Sequence, residues 1–379
     1  MNQERKCRVV VFGILILFWC LSQQGERAWG EGTPVTVPAP GAMTVPYFAP
    51  PERMDFCGER VPLHLPDVRE RLDREFTLVV YSHAQVYLWL KRMDRYFPWL
   101  EKELVRNGLP NDLKYVAVAE SDLIVSACSP AGAVGPWQFI RSTGANFGLN
   151  QNGQIDERMD FEMATASAFR YLRNLHEMFS NWTLAVAAYN CGERRVQDEL
   201  RKQRVDNYYS LKLPLETERY ILRILSIKEV LGHPERYGYS LPKNARYPAI
   251  RADQVSVRLA NPVPVVDLAE AAGITYREFK TLNPILISDS VPGGSLILRV
   301  PEGKGKEFES RIAGMYPQPQ PQAVPQHQKN SGILKHKVAK GETLSGIAAR
   351  YGVSERSIME WNGMKRKMVQ RDQIIKILK

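Results

Sequence analysis

One glutamate, Glu120, stands within "KYVAVAESDLIVSACSPAGAVGPWQF" (residues 114–139), an apolar helical pattern followed by a glycine-rich loop and a Trp-Gln pair. A carboxylate on an apolar face pairs with a cation, accepts several hydrogen bonds, or stays protonated with a raised pKa. The third state is what a general acid requires near neutral pH; a structural glutamate tied to an arginine or a helix end is the competing reading. The loop adds Gly132 and Gly135, which let backbone approach a ligand closely, and Pro130 and Pro136, which stiffen it. Trp137 offers an apolar platform and Gln138 an amide that both donates and accepts, the chemistry of a sugar site. Farther along, "LAVAAYNCG" places Tyr189 and Asn190 at a helix end stopped by Gly192. Alone, these two read as readily as a core tyrosine and a helix-terminal asparagine.

Helices must hold these groups. Asn111 or Asp112, after Gly108-Leu109-Pro110, is a natural helix start. Leu113, Val116, Ala117, Glu120 and Ile124 then share one stripe, and Asp122 projects about 200° away, so it is no acid partner for Glu120. Residues 54–250 carry apolar residues at three- and four-residue spacing, as in "QVYLWLKRMDRYFPWLEKELVRNG" and "FEMATASAFRYLRNLHEMF", which predicts an all-α domain. Residues 254–301 change to strand, two short helices and strand. Residues 302–333, Pro/Gln-rich from 317, read as a linker, and 334–379 repeat the strand-helix-helix-strand grammar. Asn283 in "KTLNP" and Asn362 in "MEWNG" hold the same place in the two units, which marks a diverged internal repeat.

The 379 residues exceed one ordinary core, and a composition of 44% apolar and 24% charged residues is that of a folded chain rather than a disordered one. Residues 1–30, with Arg5, Lys6 and Arg8 ahead of "VVVFGILILFWCL" and Ala28-Trp29-Gly30 behind, read as a secretory signal. An uncleaved membrane anchor is the alternative, although the run is short of the ~20 residues of a spanning helix. A flexible segment, 31–53, follows. The expected address is the periplasm or cell envelope. Net charge is +10, about +8 without the leader, which suits an anionic partner. No nucleic-acid motif or dense basic run is present, so an acidic envelope polysaccharide is favoured over nucleic acid. Cys57, Cys128 and Cys191 remain after the leader and allow at most one disulfide; free buried thiols are the alternative. Their spacing and the scattered histidines predict neither a metal site nor a cofactor. A monomer is expected, since nothing requires an oligomer.

In order, Glu120-Ser121, Gly135-Pro136-Trp137-Gln138, Ala188-Tyr189-Asn190-x-Gly192 and Glu216-Thr217-x-x-Tyr220 resemble the motifs of the lysozyme-like lytic transglycosylases. The resemblance covers residues 54–379. It implies a multi-domain chain: a mainly α, goose-type lysozyme domain followed by small α+β LysM-type units. It further implies cleavage of the β-1,4 bond between N-acetylmuramic acid and N-acetylglucosamine in peptidoglycan glycan strands without water. Glu120 would protonate the leaving oxygen, then as a carboxylate deprotonate the C6 hydroxyl that closes a 1,6-anhydro ring, the substrate's acetamido group replacing a second carboxylate. Tyr189 and Tyr220 would orient Glu120 or the leaving sugar, Gln138 and Asn190 would hold acetamido or hydroxyl groups, and Ser121 would brace the helix or loop. Pro136 departs from the bulkier apolar residue usual in the family. Cys128 and Cys191 would approach each other at the cleft, where a disulfide is one outcome.

"HKVAKGETLSGIAARYGVSERSIMEWNG" resembles LysM, whose loops after the first strand and second helix form a groove for N-acetylglucosamine. Gly341, Thr343, Leu344, Asn362 and Met364 would line it, with Arg371-Asp372 replacing the usual closing turn. The 254–301 unit lacks the Gly-Glu-Thr turn and is expected to be a spacer with little sugar affinity. Two other functions compete. A hydrolytic lysozyme would place a second carboxylate ~6.5–9.5 Å from Glu120, with Asp156, Glu157, Asp160 and Glu162 as candidates, though these also read as a helix-start cluster. A non-catalytic wall-binding protein would keep the fold alone.

Overall fold

The computed structural model describes residues 45–317, 333–339, 342–364 and 366–378. The leader, most of the 31–53 segment and Gly341 lie outside them. Among the described residues, no helix is long and apolar enough to cross a membrane. One compact unit extends to Tyr316 and a second begins at Pro317.

The first unit opens with a hairpin, β1 (Asp55–Phe56) and β2 (Glu59–Arg60), and continues in helices. They are α1 (Pro66–Val80), α2 (His83–Arg106), α3 (Lys114–Ser121), α4 (Arg141–Asn146), α5 (Phe161–Phe179), α6 (Trp182–Cys191), α7 (Glu193–Gln203) and α8 (Leu215–Gly232). Their ends follow local chemistry. Pro66 opens α1, where its missing N–H goes unneeded. Asp160 caps α5 by accepting from the Glu162 and Met163 amides, and Asn181 caps α6 through Leu184 N. Val68, Leu72 and Phe76 recur every fourth residue and bury one stripe of α1, which packs along α8. α8 is buried on most faces, and α3 lies between it and α2.

α3 is where the sequence expectation changes. It runs from Lys114 after a 3-10 turn, Asn111–Leu113, and stops at Ser121, because Asp122 and Leu123 are both left-handed. Ile124 therefore lies beyond the helix rather than on its stripe. Every residue of α3 except Glu120 is buried. The helix has no solvent face, only an opening at Glu120.

A separate core builds the next βααβ unit, with β3 (Ala252–Leu259), β4 (Val263–Pro264), α9 (Val265–Ala272), α10 (Tyr276–Leu282), β5 (Ser290–Val291) and β6 (Gly294–Pro301). β3 and β6 pair antiparallel from Ala252↔Pro301 to Leu259↔Gly294. Thr275 and Glu278 form a reciprocal capping box on α10. The expected linker from 302 is corrected here, because Gly305–Met315 is a helix, α11, with Phe308 and Ile312 buried in this core. Those two residues, one turn apart, supply the apolar anchor that Pro/Gln-rich linker sequence lacks. Asp253 fixes the start of α11 by accepting from Gly305 N at 2.9 Å.

The second unit pairs β7 (Ile333–Lys337) with β8 (Ile374–Leu378) around α12 (Leu344–Tyr351) and α13 (Glu355–Trp361). The internal repeat extends to atomic detail. Asn283 donates to the Phe279 and Arg299 carbonyls and accepts from Arg299 N; Asn362 donates to the Ile358 and Lys376 carbonyls and accepts from Lys376 N. Each asparagine ties the end of the second helix to the closing strand.

Candidate active site

A cleft of about 1210 Å³ opens above Glu120, walled by α1, α8, the end of α6 and the loop between α3 and α4. Glu120 occupies the last turn of α3, and the sharp stop after it is held from α2. Gln85 Nε2 and Trp89 Nε1 donate to the Asp122 carboxylate at 2.6 and 2.8 Å, and Arg92 Nη1 donates to its carbonyl at 3.1 Å. Asp122 is thus a structural brace.

Burial raises the Glu120 pKa to about 7, and the negative charge of Glu216 pushes in the same direction. The Tyr220 hydroxyl, donating to Glu120 Oε1, and the Arg223 guanidinium oppose that rise. Burial keeps the Tyr220 and Tyr189 hydroxyls well above their usual range, and the nearby Glu120 charge adds to this, so both remain proton donors. Tyr189 donates to the Trp137 carbonyl at 2.7 Å and so secures the loop, whereas Tyr220 contacts the carboxylate itself.

The loop is held by its own glycine and by a buried arginine. Gly135 has φ +87°, and a Cβ there would lie 1.8 Å from the Arg158 carbonyl oxygen, so the close approach is to the protein's own backbone. Trp137 is not the expected sugar platform: it is fully buried, its Nε1 donates to Thr165 Oγ1 at 2.8 Å, and Phe169 meets its ring edge-on. Gln138 reaches the cleft with a left-handed backbone, φ 48°. Its Nε2 donates to the Gly135 and Ala127 carbonyls at 2.8 and 3.3 Å, which leaves Oε1 as the atom available to a ligand. Ser121 is buried and pins the loop by donating to the Pro136 carbonyl at 2.9 Å, so it serves as a brace. Asn190 accepts from Thr217 Oγ1 at 2.7 Å, and its amide nitrogen has no hydrogen-bond partner among the described residues.

Sequence reasoning missed the charged wall opposite. Glu75 on α1 is buried and ion-paired with Arg74 and Arg219, and Arg223 stands one turn beyond Arg219 on α8. Residues 216, 219, 220 and 223 share this face of α8, a helical spacing that could have flagged them. The proposed second carboxylates are corrected. Asp156 pairs with Arg158, Glu157 accepts from Asn150, Asp160 caps α5 and pairs with Arg299, and Glu162 pairs with Arg299. None of them lines the cleft. Cys128 and Cys191 both do, but no disulfide joins them.

In the C-terminal unit, Thr343 caps α12 through Gly346 N at 3.2 Å, and Leu344 is buried in the core rather than lining a groove. Asn362 spends its amide on backbone partners, and Met364 packs partly against the core. The predicted groove residues therefore mostly support the fold.

Residues 97–211 match the Transglycosylase SLT domain, residues 253–317 the LysM-like domain of lytic transglycosylase MltD, and residues 336–378 the LysM domain. Membrane-bound lytic murein transglycosylase D of Escherichia coli K12 is 30% identical over 321 residues, which is 82% of this chain and 69% of that one. Peptidoglycan transglycosylase gp16 of Escherichia phage T7 is 30% identical over 155 residues, covering 39% of this chain and 12% of its own. The 70 kDa soluble lytic transglycosylase of E. coli aligns at a TM-score of 0.34 with 20% identity, covering 48% of this chain and 31% of that one. With the relationship to the first of these spanning both the cleft domain and the unit behind it, the chain belongs to the lytic murein transglycosylases of the membrane-bound D type, peptidoglycan-degrading lyases with a lysozyme-like fold.

Proposed function

We propose that Glu120 alone carries the acid and base steps of peptidoglycan cleavage, leaving 1,6-anhydro-N-acetylmuramic acid ends. The observation that carries this reading is Glu120's position as the single opening in a buried helix, with burial holding its carboxyl protonated up to about pH 7. In that state it delivers a proton to the glycosidic oxygen as the bond to the leaving sugar breaks. The Tyr220 hydroxyl then stabilises the carboxylate so formed, which recovers the proton from the C6 hydroxyl as that oxygen attacks C1. No water is consumed. Of the other carboxylates lining the cleft, Glu75 and Asp122 are held by Arg74, Arg219, Gln85 and Trp89, and Glu216 is the one a hydrolase reading would use to activate water. Gln138 Oε1 and Asn190 Nδ2, which line the cleft outside the internal hydrogen bonds of these two side chains, would bind substrate amides and hydroxyls.

The chain acts outside the cytoplasm, in the cell envelope, exported by its leader or anchored by it. Its C-terminal LysM unit holds glycan, which raises the effective concentration of the substrate for the cleft domain of the same chain. Mass spectrometry of fragments released from purified peptidoglycan tests the reading: anhydro ends from the wild type and none from Glu120→Gln are expected. Reducing ends would mean a hydrolase, and full activity in the variant would overturn the role of Glu120.

A further inference from the structure

The βααβ unit spanning residues 252–316 grips one segment of the cleft domain at two places. At the first, Ile155 is buried inside the unit's own core and bridges to Leu286. Asp156 N donates to the Ile285 carbonyl at 2.8 Å, Ile287 N to the Gln154 carbonyl at 3.0 Å, and Gln154 Nε2 to Ser290 Oγ at 2.8 Å. At the second, Arg299 on β6 pairs with Asp160, the 2%-exposed cap of α5, and with Glu162 at 3.2 Å, which also accepts from Gln254 at 3.0 Å.

Between these grips sits Arg158, only 3% exposed. Its Nε and Nη2 bind the Asp156 carboxylate at 2.9 and 2.7 Å, and its Nη1 donates to the Phe139 carbonyl at 2.9 Å and the Gly132 carbonyl at 3.2 Å. The Arg158 backbone oxygen is the atom against which Gly135 packs. One residue thus meets the catalytic loop at its start, middle and end. That loop presents Gln138 and supplies the carbonyls that seat Ser121 and Tyr189. A buried guanidinium holds one geometry only while all its partners stay in place.

We propose that the 252–316 unit is a positioning element of the active site: by gripping residues 154–162 it fixes Arg158, the positioning residue that sets loop 132–139 over Glu120. Its loop after α10 corresponds, through the Asn283/Asn362 repeat, to the loop after α13, and here it is occupied by residues 154–156 of the same chain. Glycan is not its ligand. The activity readout of this inference rests on the transglycosylase reading; hydrogen exchange does not.

The test uses the full-length chain as wild type, Arg299→Ala, Ile155→Ala and the conservative Arg299→Lys. Measured are kcat and KM on soluble glycan strands, co-sedimentation with insoluble peptidoglycan, and hydrogen exchange by segment. In the two alanine variants kcat is expected to fall about tenfold or more, with KM and co-sedimentation within about twofold of wild type, because misplaced catalytic geometry costs rate rather than binding. Amides of 132–139 are expected to exchange faster while α1 and α8 keep wild-type rates, and Arg299→Lys is expected to recover most of the lost kcat. Unchanged exchange in 132–139 would overturn the proposal, as would lost co-sedimentation at unchanged kcat, the mark of a glycan-binding module. A uniform rise across α1, α8 and the loop would also overturn it, since the unit would then support the whole fold. Should the wild type release no fragments, faster exchange confined to 132–139 would still uphold the coupling, and the transglycosylase reading alone would fail.

Discussion

Tyr220 on α8 donates its hydroxyl to the Glu120 carboxylate on α3, across a sequence separation of 100 residues. This hydrogen bond favours the ionised form and opposes burial, which favours the neutral acid. In the proposed mechanism the pair would tune one proton for two steps: bound before the glycosidic bond breaks, and returnable afterwards.

Replacing Glu120 by Gln removes the proton donor while retaining its shape. Turnover is expected to fall by about 10²–10⁴-fold with little change in glycan affinity. Single-turnover cleavage and co-sedimentation, measured on the same preparation, separate the two effects.

Tyr220→Phe deletes the group that lowers the Glu120 pKa, so that pKa rises further. Activity that depends on the protonated acid then persists to higher pH, while the maximal rate drops by about tenfold, because the carboxylate formed during cleavage has lost its donor. A pH-rate profile whose alkaline limb stays fixed would refute the assignment.

Stability should depend on the same proton. The folded chain binds it more tightly than the unfolded chain, so the stabilisation is complete below about pH 4.5 and is lost as pH rises through about 7. Glu120→Gln lacks this term. Relative to wild type it should gain on the order of 1–3 kcal/mol between pH 4 and pH 8, read by denaturant titration at both values. An equal difference at the two pH values would contradict the raised pKa.

Gly135→Ala places a methyl group 1.8 Å from a backbone oxygen at a positive φ. No flexible side chain can yield there, so a loss of roughly 2–4 kcal/mol is expected, together with displacement of Gln138. Calorimetry supplies the first quantity and substrate KM the second.

Asn362→Ala removes three hydrogen bonds, two to Lys376 of β8 and one to the Ile358 carbonyl of α13. The C-terminal unit should lose about 1–3 kcal/mol, and glycan affinity should fall only in proportion to the unfolded fraction. Affinity lost at full folding, measured by circular dichroism beside glycan titration, would restore Asn362 to the binding groove.

Particular residues show where sequence and tertiary structure divide the information. That Glu120, Gln138, Tyr189 and Asn190 meet in one cleft is foreshadowed by local pattern, a carboxylate among apolar residues and polar groups beside glycines or at a helix end, whereas Tyr220 is picked out only by the family resemblance. The paired asparagines of the two βααβ units are legible for the same reason, since position within a repeated grammar is a local property. Trp137 and Leu344 misled because an apolar residue beside a glycine or a cap serves equally as platform or core, and only packing decides which. Ile124 misled because helical periodicity does not announce two consecutive left-handed residues, which Gln85 and Trp89 hold in place from α2.

By itself the sequence determined the place of a carboxylate in an apolar helix, the order of helical and βααβ units, and the glycine-bearing loop, all products of local pattern and residue chemistry. Tertiary structure decided the rest: that α3 is buried except at Glu120, that Tyr220 rather than Tyr189 touches the carboxylate, that α11 belongs to a core, and that Arg158 meets the loop from a segment whose flanking residues contact the βααβ unit. Burial, ion-pair choice and pKa depend on atoms brought together from distant parts of the chain, and that proximity is a property of the fold rather than of any stretch of residues.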